Sequence, residues 1–257
     1  MFSNHKYIAF ETIVLREIRR FGRIWLQTLV PPAITIGLYF VIFGNLVGKR
    51  IGEMGGFQYM EFIVPGLIMM AVIQNSYSNV VSSFFSHKFQ HSVEELLVAP
   101  VPNYVILCGF IVGGMARGLA VGTIVTFISM LFADLEIQNL FITVTVVLLT
   151  SIVFALAGFI NALFANSFDD ISIIPTFVLT PLIYLGGVFY SVELLPPFWK
   201  FVSALNPIFY MVNTFRYGIL GSSDVDIRWA FFILCVFIVL LFTSCIFLLR
   251  KGTGLRS

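Results

Sequence analysis

Two stretches of this chain carry residue types suited to chemistry, and each lacks a necessary group. Gly44-Asn45-Leu46-Val47-Gly48-Lys49-Arg50 sets two glycines before a lysine, the outline of a phosphate-cradling loop. Such a loop needs four residues between its glycines and a Ser or Thr after the lysine to hold Mg²⁺. Here three residues separate the glycines and Arg50 follows Lys49, so the chain is not expected to hydrolyse nucleotide. His87 and His91 stand one helical turn apart. A zinc hydrolase of that spacing needs Glu directly after the first His, and a third ligand; Lys88 stands in the place of the base. Cys108, Cys235 and Cys245, all inside apolar stretches, give neither a disulfide framework nor metal spacing. There is no Gly-x-Ser-x-Gly elbow for a serine nucleophile. No catalytic residue, metal ligand or cofactor of its own is assigned to the chain.

Polar groups embedded in apolar sequence are more informative, because each costs free energy in hydrocarbon unless it faces a cavity or another helix. Asn75 and Asn79 lie one turn apart in Gln74-Asn75-Ser76-Tyr77-Ser78-Asn79, and Thr176, Thr180 and Tyr184 recur at i, i+4, i+8. Both stripes read either as helix–helix hydrogen bonding or as the lining of a substrate path or subunit interface. Arg117 sits at the centre of a long apolar stretch among Gly109, Gly113, Gly114, Gly118 and Gly122, which permit close helix packing. Its expected partner is Asp169 or Asp170. Ser92-Val93-Glu94-Glu95-Leu96-Leu97-Val98-Ala99-Pro100 is a short segment stopped by Pro100 and Pro102. With Leu96 and Leu97 beside two acids it reads as a docking surface or as a plain connector.

The elements that must position these groups follow from composition. Of 257 residues, 59% are hydrophobic and 11% charged, with a mean hydropathy of +0.98. A soluble domain is about 45–50% apolar and about 25% charged, so the expected class is an all-α polytopic membrane protein. A net charge of +2 without a large basic patch excludes a nucleic-acid partner. A spanning helix takes about 20 apolar residues, and six spans are expected, at about 26–47, 62–85, 105–133, 140–164, 171–190 and 229–249. The stretch 201–212 is too short to cross and is broken by Asn206-Pro207. With Pro196-Pro197 before it, 194–220 reads as a re-entrant helical hairpin sheltered by other helices.

Residues 1–25 carry no cleavable signal pattern. Phe10, Val14, Ile18, Phe21 and Trp25 recur every three or four positions, and Arg16, Arg19, Arg20 and Arg23 take the remaining faces. The pattern predicts a basic amphipathic helix at the cytoplasmic membrane interface. With an even number of spans both termini share a side. That side collects nine cations (Lys6, the four arginines, Lys88, Arg250, Lys251 and Arg256) against five opposite: Lys49, Arg50, Lys200, Arg216 and Arg228. Both termini are therefore expected in the cytoplasm.

The chain resembles the ABC-2 family of bacterial ABC-transporter permeases over essentially its whole length. The resemblance is carried by Trp25-Leu26-Gln27-Thr28-Leu29-Val30-Pro31-Pro32, Phe62-Ile63-Val64-Pro65-Gly66 and Glu94-Glu95-Leu96-Leu97-Val98-Ala99-Pro100. Phe168-Asp169-Asp170-Ile171 and Leu205-Asn206-Pro207 with Phe215-Arg216-Tyr217-Gly218 complete it. It implies a homodimer of six-span subunits in the bacterial inner membrane, each bound to a separate cytoplasmic ATPase subunit that supplies the site for ATP and Mg. It further implies that residues 1–25 form a connecting helix ahead of a transmembrane domain at 26–257. The loop 86–104 would hold a coupling helix around Glu94, Glu95, Leu96 and Leu97, with Asp169 and Asp170 at a second ATPase contact. The stripes Asn75/Asn79 and Thr176/Thr180/Tyr184 would line the dimer interface or substrate path. The hairpin bearing Asn206, Pro207 and Arg216 would cap the outer side. Few charges lie in the spans, which favours a hydrophobic or amphipathic cargo, and the resemblance implies that it is exported. A lipid-linked glycan is the alternative, and an ion-coupled secondary carrier the remote one.

Overall fold

The computed structural model of the chain describes residues 2–93 and 100–254. Helix dominates: α1 (Phe2–Arg23), α2 (Trp25–Tyr39) with a π-helical continuation (Phe40–Val47), α3 (Gly48–Ile51), α4 (Tyr59–Phe89) and α5 (Asn103–Ser129). There follow α6 (Leu140–Phe164), α7 (Asp170–Ile174), a second π-helical stretch (Pro175–Leu179), α8 (Thr180–Leu185), α9 (Pro197–Ala204), α10 (Pro207–Leu220) and α11 (Ile227–Lys251). One small element departs from the all-α expectation. β1 (Glu53–Met54) and β2 (Phe57–Gln58) pair antiparallel, with Met54 opposite Phe57. Gly55 and Gly56 both have positive φ, the backbone condition for a two-residue hairpin turn that follows the strand twist. The segment Gly44–Arg50, loop-like in sequence, is helical throughout.

α4 is the axis of the fold. It is buried on nearly every side and packs along α5 and α6, with α10 against it as well. Its first turn is closed by a capping box in which Glu61 Oε2 accepts from the Gln58 N–H at 3.3 Å. Among the described residues four helices are long and apolar enough to cross a membrane: Trp25–Gly44, Asn103–Ser129, Leu140–Phe164 and Ile227–Lys251. α4 has the length, at 31 residues, but the run Gln74–Asn79 lowers its mean hydropathy. Protein surrounds it on all sides, so its sequence answers to helix partners rather than to lipid. The helix expected at 171–190 stops at Leu185, where Gly186 and Gly187 (φ +76°) end it. Its continuous length, Asp170–Leu185, is about 24 Å at 1.5 Å per residue. α5 likewise ends at Ser129, short of the expected 133.

Small residues set the closest approaches. On α5, Gly109 and Gly113 face Ile13 and Glu17 of α1, while Gly114, Gly118 and Gly122 face Val80, Ser76 and Val72 of α4. The α1 contacts advance together along both helices, so α1 runs beside α5 in the same direction over that turn. Its buried stripe is Ile13 and Glu17 with Arg20 half-buried, and Tyr7, Ile8, Leu15, Ile18 and Trp25 remain exposed. The basic helix is thus docked against α5 by a stripe that includes charge, not by its apolar face. α9 and α10 form the expected pair of short helices within 194–220. Asn206 joins them, its Oδ1 accepting from the Ile208 N–H at 3.0 Å and its amide donating to the Leu182 carbonyl at 2.6 Å.

Candidate functional site

The first polar centre lies where α1, α4 and α5 meet. Glu17 has no exposed surface. It accepts a hydrogen bond from Ser83 Oγ at 2.7 Å and lies 3.5 Å from Arg20 Nη2. The same Arg20 nitrogen donates to both the carbonyl and the side-chain oxygen of Asn79, each at 2.9 Å. One turn away on α4, Asn75 accepts from Arg117 Nη2 at 3.2 Å and donates to the Ala71 carbonyl at 3.0 Å. Arg117 therefore pairs with Asn75, not with Asp169 or Asp170. Asn75 lies within reach across the α4–α5 seam, and Asp170 is engaged by the Asn166 and Ser167 N–H groups. Asn75 and Asn79 are 6% and 0% exposed, so in this conformation their stripe joins helices within the subunit.

The second centre gathers at the C-terminal end of α4. Lys88 Nζ donates to the carbonyls of Leu163 (2.9 Å) and Ala165 (2.6 Å), which satisfies carbonyls that the end of α6 leaves open. Phe168 packs edge-on against Phe85 and Phe89, with centroids at 4.9 and 5.1 Å. Asp170 Oδ2 accepts from the N–H groups of Asn166 (2.9 Å) and Ser167 (3.1 Å). The Asn166 bond, with the Ser167 bonds and nearby Lys88, holds the Asp170 carboxyl below the ordinary carboxylate range. Asp169 is exposed beside it. Burial, reinforced by the charges of Arg16 and Arg20, pushes the His87 imidazole down to about 4. His87 Nδ1 lies 2.9 Å from Ser92 Oγ. Glu94, Glu95, Leu96 and Leu97 lie outside the described residues. The Phe168–Asp170 segment is nonetheless packed on the turn of α4 that leads, in sequence, directly to them.

The third centre is at the opposite end. Arg216 is 2% exposed, its Nη2 donating to the Gly187 carbonyl at 2.7 Å and its Nη1 to Asn213 Oδ1 at 3.2 Å. Its guanidinium lies 3.9 Å from the centre of the Phe62 ring. The hairpin is thereby bound to the end of the helix of the fifth expected span, Asp170–Leu185 (the fifth helix, distinct from α5), and to the start of α4. On the fifth helix, Thr176 and Tyr184 are exposed and Thr180 is half-buried, its hydroxyl donating to the Pro175 carbonyl at 2.9 Å. Only Leu179 and Ile183 turn inward. Tyr184 joins Tyr39, Phe43 and Phe189 in a ring cluster with centroids 5.2–5.8 Å apart.

Sequence reasoning missed Glu17 and Lys88. For Glu17 the signal was present: it follows Ile13 by four residues, as Gly113 follows Gly109, and only a glycine pair admits so close a stripe. Lys88 gave no such sign, because its partners lie far along the chain. Among the described residues no group of three or more His, Cys, Asp or Glu is placed to hold a metal.

An apolar helical bundle with polar groups confined to helix seams and to its two ends is the build of a membrane transport subunit. Residues 8–220 match the ABC-2 type transporter family, and the chain belongs to that family. It is 59% identical over 252 residues to the inner membrane transport permease YadH of Escherichia coli K12, with 98% of each chain covered. It is 26% identical to nodulation protein J of Neorhizobium galegae over 229 residues, covering 86% of this chain and 87% of the relative. To nodulation protein J of Rhizobium leguminosarum bv. viciae the identity is 23%, covering 95% and 91%. The protein is accordingly a transport permease of the bacterial inner membrane, in a family of membrane subunits rather than enzymes.

Proposed function

We propose that the chain is one of two identical permease subunits of an exporter, driven by two copies of a separate ATPase subunit that holds the ATP and Mg. Each permease would contribute six spans, with the hairpin 194–220 re-entering from the outer side and both termini in the cytoplasm. The packing of Phe168 on Phe85 and Phe89 carries this reading. It puts the Asp169–Asp170 segment beside the helix that runs into Glu94, Glu95, Leu96 and Leu97, as one docking face requires. Lys88 ties the end of α4 to the end of α6, so a push delivered at that face moves both helices together. Closure of the ATPase pair around ATP would thus pass to the spans as a rigid-body motion, switching the dimer between inward-open and outward-open states.

The cargo favoured is hydrophobic or amphipathic. A lipid-linked glycan is the second reading, and the ring cluster of Tyr39, Phe43, Tyr184 and Phe189 favours it, because aromatic faces suit sugar rings. An ion-coupled carrier is disfavoured: Glu17, the one fully buried carboxylate among the described residues, is occupied by Ser83 and Arg20. The test is affinity purification of the tagged permease in mild detergent, with mass spectrometry and an ATPase assay. An ABC ATPase should copurify in about equal amount, as two binding faces per dimer require, and be lost on Glu95→Arg with Leu96→Asp. A folded dimer that brings down no ATPase sinks the proposal.

A further inference from the structure

Thr12, Arg16, Arg19 and Arg23 follow one another at i, i+4, i+7 and i+11 on α1 and so share a face. They wall a cavity of about 710 Å³ together with Arg20, Leu15, Ile24 and, from α4, His87. Four arginines line it, and no carboxylate of the described residues does. Glu17, the acid nearest in sequence, accepts from Ser83 in the seam and lies 4.0 Å from Arg16 Nε and 3.5 Å from Arg20 Nη2, a single negative charge against four cations. Buried nitrogens remain without hydrogen-bond partners: Nε and Nη2 of Arg16, and Nε of Arg20. Donors in that condition raise the energy of the folded state unless an acceptor reaches them. What fits is a multidentate oxyanion, which guanidinium forks bind in pairs.

We propose that this face of α1 is a binding site for the phosphate headgroup of an anionic membrane phospholipid. Two observations favour a lipid over a free anion or an acidic protein segment. Leu15 and Ile24 form part of the cavity wall, so the occupant meets apolar surface as well as charge. α1 and the two residues that follow it leave Tyr7, Ile8, Leu15, Ile18, Ile24 and Trp25 exposed, an apolar skirt that acyl chains would cover. The site rests on the reading of α1 as a membrane-associated helix and is independent of the ATPase assignment. Bound there, a lipid would offset the mutual repulsion of the clustered arginines, which one carboxylate, Glu17, cannot balance alone.

The experiment uses the full permease with Trp199 and Trp229 replaced by Phe, leaving Trp25 beside the site as the fluorophore. Its quenching by brominated phosphatidylglycerol is compared with quenching by brominated phosphatidylcholine, in mixed vesicles at fixed ionic strength. Two exposed arginines should favour the anionic lipid at least about fivefold. That preference should fall to about one in Arg19→Gln with Arg23→Gln and be kept in Arg19→Lys with Arg23→Lys. Circular dichroism establishes that each variant is folded, and because no ATPase is present, a negative result leaves the transporter reading untouched. A ratio near one in the unaltered protein overturns the proposal, as does a preference that survives the glutamine variant. Loss of the preference on adding inorganic phosphate at matched ionic strength overturns the lipid assignment in favour of a free anion. Loss of ATPase copurification from the glutamine variant, with its lipid ratio unchanged, reassigns the face to a protein partner.

Discussion

Arg216 is a charge almost wholly out of water, with its Nε left without a hydrogen-bond partner. Its energy is recovered by two hydrogen bonds and by the Phe62 ring. Arg216→Ala leaves the Gly187 carbonyl unpaired and removes the ring contact. A charged hydrogen bond contributes about 1.5–3 kcal/mol and a desolvated cation–ring contact about 2 kcal/mol, so a loss of roughly 3.5–5 kcal/mol is expected. Arg216→Lys should recover only part of this, since one ammonium cannot reach both oxygens while lying over the ring. Denaturant unfolding in detergent measures both. His87 gives a pH signature. Its imidazole is held to about 4 against an ordinary 6.5, so the unfolded chain binds its proton first as pH falls. The stability this contributes is complete above about pH 6.5 and declines between there and about pH 4. Melting temperatures across that window should fall with acid, and His87→Gln should flatten the slope. An unchanged slope would mean that the neighbouring Arg16 and Arg20 do not act through this ring.

At the scale of elements, the seam between α1 and α5 depends on an absent side chain. A Cβ at Gly113 would stand 2.5 Å from Glu17 Cβ, so Gly113→Leu should lift α1 away at a cost of about 1–3 kcal/mol. The bundle of α4, α5 and α6 should survive. Trypsin cleavage at Arg16 and Arg20 should accelerate while helix content is kept; Gly22→Leu, with nothing within 4 Å, is the neutral control. Elements differ in how well the sequence discloses them, for physical reasons. The span expected at 140–164 coincides with α6 because one apolar run is bounded by a capping residue, Asn139, whose side chain accepts from the Ile142 N–H. α4 is longer than its apolar stretch because protein, not lipid, surrounds it. The fifth helix is shorter than expected because Gly186 and Gly187 interrupt residues that remain apolar. In the sites, the hairpin break at Asn206-Pro207 was legible, since proline and a capping side chain act locally. The pairing of Arg117 with Asn75 was not, because periodicity says which way a residue faces and nothing about which distant helix meets it.

At the scale of the whole molecule, exposed apolar surface alone does not distinguish a lipid-facing helix from a subunit interface. The polar groups within that surface do. α11 presents Trp229, Phe232, Val236, Val239, Leu240 and Phe247, and the hydroxyls among them, Thr243 and Ser244, donate back to their own helix. The fifth helix presents Phe177, at 73% exposed, together with Thr176 and Tyr184. It is also the shorter helix, interrupted by Pro175 and Pro181; the Ile171 carbonyl that Pro175 leaves open is met within the subunit by Asn161 Nδ2 at 3.2 Å. Hydrocarbon offers nothing to the exposed Thr176 hydroxyl, whereas a second copy of the same face can meet it about a two-fold axis. The expectation is that Phe177→Cys, with Cys108, Cys235 and Cys245 replaced by Ala, forms a covalent dimer on mild oxidation in native membranes. Leu179→Cys, turned inward, should not, and neither should Phe232→Cys on α11. Cross-linking through Phe232→Cys but not Phe177→Cys would move the interface to α11. The hydroxyls of the fifth helix would then face the transport path.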